Sequence, residues 1–163
     1  MINVIVGPPC SGKSTYTEVN SKENDVIIDY DKIASAIGSN KPHDSDGSIR
    51  VIALRIRFSA IQRIIEGIDN DSWIIHTNPN SSLINQYVSA GGLFTVLDPG
   101  MDECIRRANK DNRPNDTIDA IERWYESPPE IPEKYIVDPI TNRSRMINVK
   151  SFIIRNNVSR GTR

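Results

Sequence analysis

Residues 2–15 read Ile2-Asn3-Val4-Ile5-Val6-Gly7-Pro8-Pro9-Cys10-Ser11-Gly12-Lys13-Ser14-Thr15. The run from Ile2 to Val6 is mostly β-branched and stops at Gly7-Pro8-Pro9, the pattern of a short buried strand that ends in a turn. Gly7 to Ser14 match G-x-x-x-x-G-K-[ST], and residues 13–20 fit a helix, so the loop lies between a strand and a helix as that pattern requires. Glycines at its ends let successive backbone N–H groups turn inward around phosphate oxygens. The helix N-terminus adds a partial positive charge. Lys13 can reach the β- and γ-phosphates of a nucleoside triphosphate, the Ser14 hydroxyl can bind Mg²⁺, and Thr15 would sit close to the α-phosphate. Gly7, Pro9, Cys10, Ser11, Gly12, Lys13, Ser14 and Thr15 are therefore the expected nucleotide-binding set, with Cys10 contributing its backbone. The competing account is a glycine-rich turn with an incidental Lys-Ser.

Outward from this loop, strand and helix patterns alternate. Val26-Ile27-Ile28, Trp73-Ile74-Ile75 and Leu93 to Leu97 read as strands. Helices are expected over 31–37, 82–90, 101–110 and 117–126, the last capped by Asn115 or Asp116. The strongest helical signal lies between, where Val51, Leu54, Phe58, Ile61, Ile65 and Ile68 form one apolar stripe. Tyr135-Ile136-Val137 and Met146 to Ile154 are further strand candidates. Alternation of this kind implies an α/β fold in three layers, with a mostly parallel sheet of about five strands covered on both faces. Residues 1–138 form the expected core with a small basic lid at 101–116. Residues 139–163 form a basic extension, partly strand, with a mobile end from about residue 156.

Composition bounds the rest. The 163 residues carry 20 Lys/Arg against 21 Asp/Glu, for a net charge of -1. A globally basic nucleic-acid binder and a disordered acidic chain are both excluded. All the acids lie at or before Asp138, so residues 1–138 sum to -7 (14 basic, 21 acidic) and residues 139–163 to +6. Cys10 and Cys104 have no metal-ligand or disulfide spacing, which points to a reducing, cytoplasmic setting. The N-terminus has no signal-peptide pattern, and no stretch approaches the roughly 18 apolar residues of a membrane span.

The loop specifies a nucleoside triphosphate, not a reaction. No N-K-x-D base-reading motif is present, and no apolar strand ends in Asp-Glu, which disfavours GTPases and motor ATPases. Asp29-Tyr30-Asp31 follows the second strand instead. In an alternating α/β sheet that point shares the carboxyl edge with the phosphate loop. Of two carboxylates there, Asp29 can face the metal and Asp31 can accept the proton of an acceptor hydroxyl. The alternative is that Asp31 caps the next helix and Asp29 closes a turn.

Strand, GPPCSGKST, helix, strand, Asp-x-Asp, helix, strand and His76-Thr77-Asn78 together resemble the small P-loop kinases. Within them the pattern is most similar to the bacteriophage-type polynucleotide 5′-hydroxyl kinases and the phage kinases of hydroxymethylated pyrimidines in DNA. The resemblance covers roughly residues 1–127. It implies that Asp31 acts on the acceptor hydroxyl and that Arg107 and Arg113 in the lid stabilise the transferring phosphoryl group. It also implies ATP and Mg²⁺ as cofactors and host cytoplasm as the setting if the gene is a phage's. Two positions depart from that family. Ala34 stands where it has an Arg, and His76 where it has an Asp, so the acceptor is held differently. The Asp-x-Asp pair resembles shikimate and gluconate kinases as well.

The expectation is a kinase that moves the γ-phosphate of ATP to a hydroxyl of a nucleic acid, DNA favoured, at a 5′ end or on an extruded modified base. The alternatives are a kinase for a small acceptor (a nucleoside, nucleotide or polyol) and an NTP-binding switch without transfer. Arg57 (or Arg55), His76 and Asn78 are the expected acceptor contacts, with His76 as readily a packed structural histidine. Lys41 and His43 could touch a phosphate backbone. Trp124 and Tyr125 read as core.

Overall fold

A computed structural model describes residues 1–40 and 47–139. The expectations for Lys41, His43, the 146–154 strand and the basic extension from residue 140 lie outside the described residues.

Four strands form one parallel sheet: β1 (Ile2–Val6), β2 (Val26–Ile28), β3 (Ser72–His76) and β4 (Leu93–Val96), in the order β2-β3-β1-β4. β1 pairs with β3 from Ile2↔Ser72 to Val6↔His76 and with β4 from Asn3↔Leu93 to Val6↔Val96. Strands buried on both faces read as unbroken apolar runs, and Val4, Ile5 and Val6 are fully buried. Val4 and Val6 face a cluster with Ile61, Ile64, Ile84, Tyr87 and Phe94. Those residues come from β4 and from two helices, α3 (Gly47–Glu66) and α4 (Ser81–Ser89). On the other face, α1 (Lys13–Asn20) packs against β1 and β3, and Tyr16 meets Trp73 edge-on. Three layers result.

Two further helices, α5 (Met101–Lys110) and α6 (Asn115–Glu126), pack on each other around Cys104, Ala108 and Ile121. The segment expected as a lid is thus a helical hairpin with its own small core. α6 begins at Asn115, two residues before the expected start at Thr117. Pro114 occupies the cap position without a side-chain cap bond, and Asn115 is already helical. The Pro114 carbonyl accepts from the Thr117 N–H at the entrance of the helix.

The fifth strand at 135–137 is not formed. A short 3₁₀ turn spans Glu133–Tyr135, followed by a single parallel bridge between Ile136 and Phe94. Pro132 and Pro139 bracket this stretch and carry no N–H for a ladder.

The apolar stripe of α3 is only half buried. Ile61 is in the core, but Val51, Leu54 and Phe58 are 68%, 46% and 61% exposed. A helix of 20 residues is about 30 Å long, whereas a five-residue strand is about 17 Å long. α3 runs back from the carboxyl edge of the sheet, so its first half overhangs that edge.

Candidate active site

The chain leaves β1 toward β2 on one side and leaves β3 toward β4 on the other. The loops after β1 and β3 therefore diverge and open a crevice at the carboxyl edge. A cleft of about 1190 Å³ lies there.

The loop after β1 forms its floor. Gly7 has no room for a side chain, because a Cβ would strike the Leu97 carbonyl and come within 2.7 Å of Ser11 Oγ. Gly12, with φ of 97°, caps α1 and offers no side-chain bond to its first N–H groups. Those donors remain for an anion. Lys13 is buried, and its Nζ donates to the carbonyls of Gly7 (2.8 Å) and Pro8 (2.6 Å). Burial lowers its pKa to about 8. Pro9, Cys10, Ser14 and Thr15 line the cleft as well, while Ser11 is buried behind them.

The second strand brings up the carboxylates. Asp29, buried at the end of β2, caps the helix α2 (Tyr30–Ala36) by accepting from the Asp31 N–H at 3.0 Å. Its other oxygen accepts from Ser14 Oγ at 2.8 Å. The capping role considered for Asp31 thus belongs to Asp29. Asp31 stands in the first turn of α2 and lines the cleft. A hydroxyl backed by a carboxylate is a donor set that suits Mg²⁺. Among the described residues no cluster of three or more His, Cys, Asp or Glu could hold a metal without further ligands.

The hairpin supplies the opposite wall. Glu103 holds Arg106 through two bonds (2.7 and 2.8 Å) and Arg107 through one (2.7 Å). These hydrogen bonds lower its carboxyl pKa to about 2. Arg107 also donates to the Cys10 carbonyl at 3.2 Å, which ties the hairpin to the phosphate loop. Arg113 faces the same cleft. Trp124 is core as read, and its Nε1–H donates to the Thr77 carbonyl at 2.9 Å.

The third wall is α3 with the end of β3. Arg50, Leu54 and Arg57 line it, as do His76, Thr77 and Asn78; Arg55 does not. Arg57 Nη2 donates to the Ile75 carbonyl at 2.7 Å and lies 3.0 Å from His76 Nδ1. His76 Nε2 is 2.8 Å from the Tyr87 hydroxyl. Burial, then the Arg57 charge, push the imidazole pKa down to about 3. His76 is therefore a buried neutral group bonded to Arg57 and Tyr87. Sequence reasoning missed Tyr87 and Glu103. Glu103 was findable, since Arg106 and Arg107 follow it at the i+3 and i+4 spacings of helix ion pairs; Tyr87 carried no signal.

No family model matches this chain, and no curated protein does either. Several solved structures share its fold. The shikimate kinase of Aquifex aeolicus is 17% identical, with a TM-score of 0.56 over 99% of this chain and 100% of its own. A gluconokinase from Sinorhizobium meliloti is 12% identical, with a TM-score of 0.56 over 98% and 97%. The shikimate kinase of Acinetobacter baumannii, determined with shikimate, is 15% identical, with a TM-score of 0.51 over 99% and 95%. The chain thus has the fold of these kinases. The narrower resemblance to phage polynucleotide kinases gains no support from them.

Proposed function

We propose that the protein is a phosphotransferase that moves the γ-phosphate of ATP to a hydroxyl of a small molecule, with Mg²⁺ bound between Ser14 and the phosphates. One observation carries this: Lys13, the Ser14–Asp29 pair and Asp31 converge at one end of a single cleft. The phosphate loop and Lys13 hold the nucleotide. Ser14, backed by Asp29, would hold Mg²⁺, which would supply charge neutralisation for the transferring phosphoryl group. Asp29 orients the Ser14 hydroxyl for that ion. Asp31 accepts the proton of the attacking hydroxyl. Arg107 and Arg113 stabilise the equatorial oxygens during transfer, Arg107 by leaving the Cys10 carbonyl for the phosphoryl group. Small acceptors, rather than the nucleic acid expected first, fit better for two reasons. Arg50 and Arg57 of α3 meet Arg106, Arg107 and Arg113 of the hairpin inside one cleft. Two fold relatives are kinases named for small hydroxylated compounds.

The test is label transfer from ATP in the presence of Mg²⁺. The panel would contain polyols, hydroxy acids, nucleosides, 5′-hydroxyl DNA and RNA, and hydroxymethyluracil DNA. Label on small acceptors is the expected result. Label on polymers alone sinks the small-acceptor reading, and ATP binding without any transfer sinks the kinase reading. Asp31→Asn should abolish transfer while leaving ATP affinity within about twofold, a split expected of a group that acts only in the transition state.

A further inference from the structure

Among the described residues Arg57 stands out as a cation without an ion-pair partner. Its side chain is largely withdrawn from solvent. Its partners are neutral: the Ile75 carbonyl and His76, whose two ring nitrogens lie 3.0 and 3.3 Å from Nη2. Its Nε–H is fully shielded and has no hydrogen-bond partner. Asp29 favours the charge from a distance but is engaged by Ser14 and by the Asp31 amide. Buried charges are normally paired, and buried donors normally bonded, because leaving them otherwise is costly. This one also borders the cleft, on the same stripe of α3 as Arg50 and Leu54.

The neutral partners account for the geometry. Arg57 Nη2 lies beside both ring nitrogens and Nε2 is 2.8 Å from Tyr87 Oη, so the neutral imidazole bridges the guanidinium and the phenol whichever nitrogen carries the proton. Tyr87 itself is fully buried and packs edge-on against Phe94, so it gives the imidazole a rigid support. An acidic residue in place of His76 would neutralise Arg57; a neutral imidazole fixes the guanidinium and leaves its charge available.

We infer that Arg57 is the anchor for an anionic group on the acceptor, a carboxylate or a phosphate monoester, and that His76 and Tyr87 are the positioning residues that hold it toward the cleft. The inference rests on the kinase reading for the word acceptor, whereas anion binding at Arg57 can be measured without catalysis. The probes are glycerate and glycerol 3-phosphate, with glycerol as their uncharged counterpart, added to the full chain with the phosphate loop filled by Mg²⁺ and a non-hydrolysable ATP analogue. NMR of arginine side-chain N–H groups reports the place, and calorimetry reports the affinity. The Arg57 Nε–H resonance should shift saturably with one or both anions and not with glycerol, and the arm that shifts it names the anionic group. Arg57→Lys should weaken anion binding by about tenfold or more, as for a lost charge-assisted hydrogen bond. Tyr87→Phe, which keeps the packing, should weaken it by about fivefold, the worth of one neutral hydrogen bond. It should raise the KM for an anionic acceptor without changing the KM for ATP. An unmoved Arg57 signal, or equal binding of glycerol, overturns the anchor. A Tyr87→Phe protein that binds and turns over as the wild type does overturns the positioning role. Anion binding at Arg57 without ADP formation from any acceptor would keep the anchor and reject the kinase reading.

Discussion

Two buried bases at the cleft have pKa values lowered by desolvation, and each makes a measurable prediction. Lys13 sits at about 8 against an ordinary 10.5. Phosphates beside the amine favour its charged form, so binding a nucleotide should raise the pKa back toward its ordinary value. The bound state then holds a proton that the free protein loses above about pH 8. ATP affinity should therefore fall by up to about tenfold per pH unit over that window, and Lys13→Arg should remove the dependence. Titration calorimetry in two buffers of different ionisation heat would show the proton uptake directly. His76 acts on stability instead. Its folded pKa of about 3 lies below the ordinary 6.5. Below the ordinary value the unfolded chain takes up a proton that the folded one refuses, so stability declines as pH falls from about 6.5 toward 3. The loss at pH 5 should be about 2 kcal/mol. Urea melts of wild type and His76→Asn at pH 7.5 and pH 5 would test this; an equally steep acid limb in the variant rules out His76 as its source.

At the scale of elements, α3 is where reading and structure part. Its period correctly announces a long helix, because Val51, Leu54, Phe58, Ile61 and Ile65 recur three and four apart. Periodicity cannot say what a face meets, and the first half of this face meets no strand because the helix outruns the sheet. Truncations along the stripe should therefore be unequal. Ile61→Ala, in the core, should cost about 2–4 kcal/mol. Phe58→Ser, at 61% exposure, should stay within about 0.5 kcal/mol. Chemical denaturation of both variants measures the contrast, and equal losses would mean that the overhanging half is covered in solution. By comparison β1, its loop and α1 were legible from end to end. A strand buried on both faces writes itself as a continuous apolar run, and the loop needs glycine where Gly7 abuts Leu97 and where Gly12 takes a positive φ. Asp29 and Asp31 were legible as a pair, but the cap went to the first rather than the second, since an N-cap must precede the helix it closes. The His76–Tyr87–Arg57 chain joins three separate elements through neutral hydrogen bonds, and no local pattern records such a contact.

At the scale of the molecule, the charge pattern takes on a definite geometry. Among the described residues, most basic groups of the α5–α6 hairpin and two of α3 gather at the cleft. Lys13, Arg50, Arg57, Arg106, Arg107, Lys110 and Arg113 line one cleft, together with Asp29, Asp31, Glu103, Asp111 and Asp116. Both signs in a confined space suit a nucleotide and one compact acceptor better than a chain of phosphates. The salt dependence of acceptor binding separates the two cases. A polynucleotide held through 6–10 phosphates would lose about 10³–10⁵ in affinity between 50 and 200 mM salt. A single carboxylate or phosphate held inside a partly desolvated cleft is screened far less, so its KM should change by no more than about threefold over the same range. Steady-state kinetics at saturating ATP and rising KCl give the slope directly. A steep slope would mean that residues beyond this cleft carry phosphate contacts, and that the acceptor is a polymer after all.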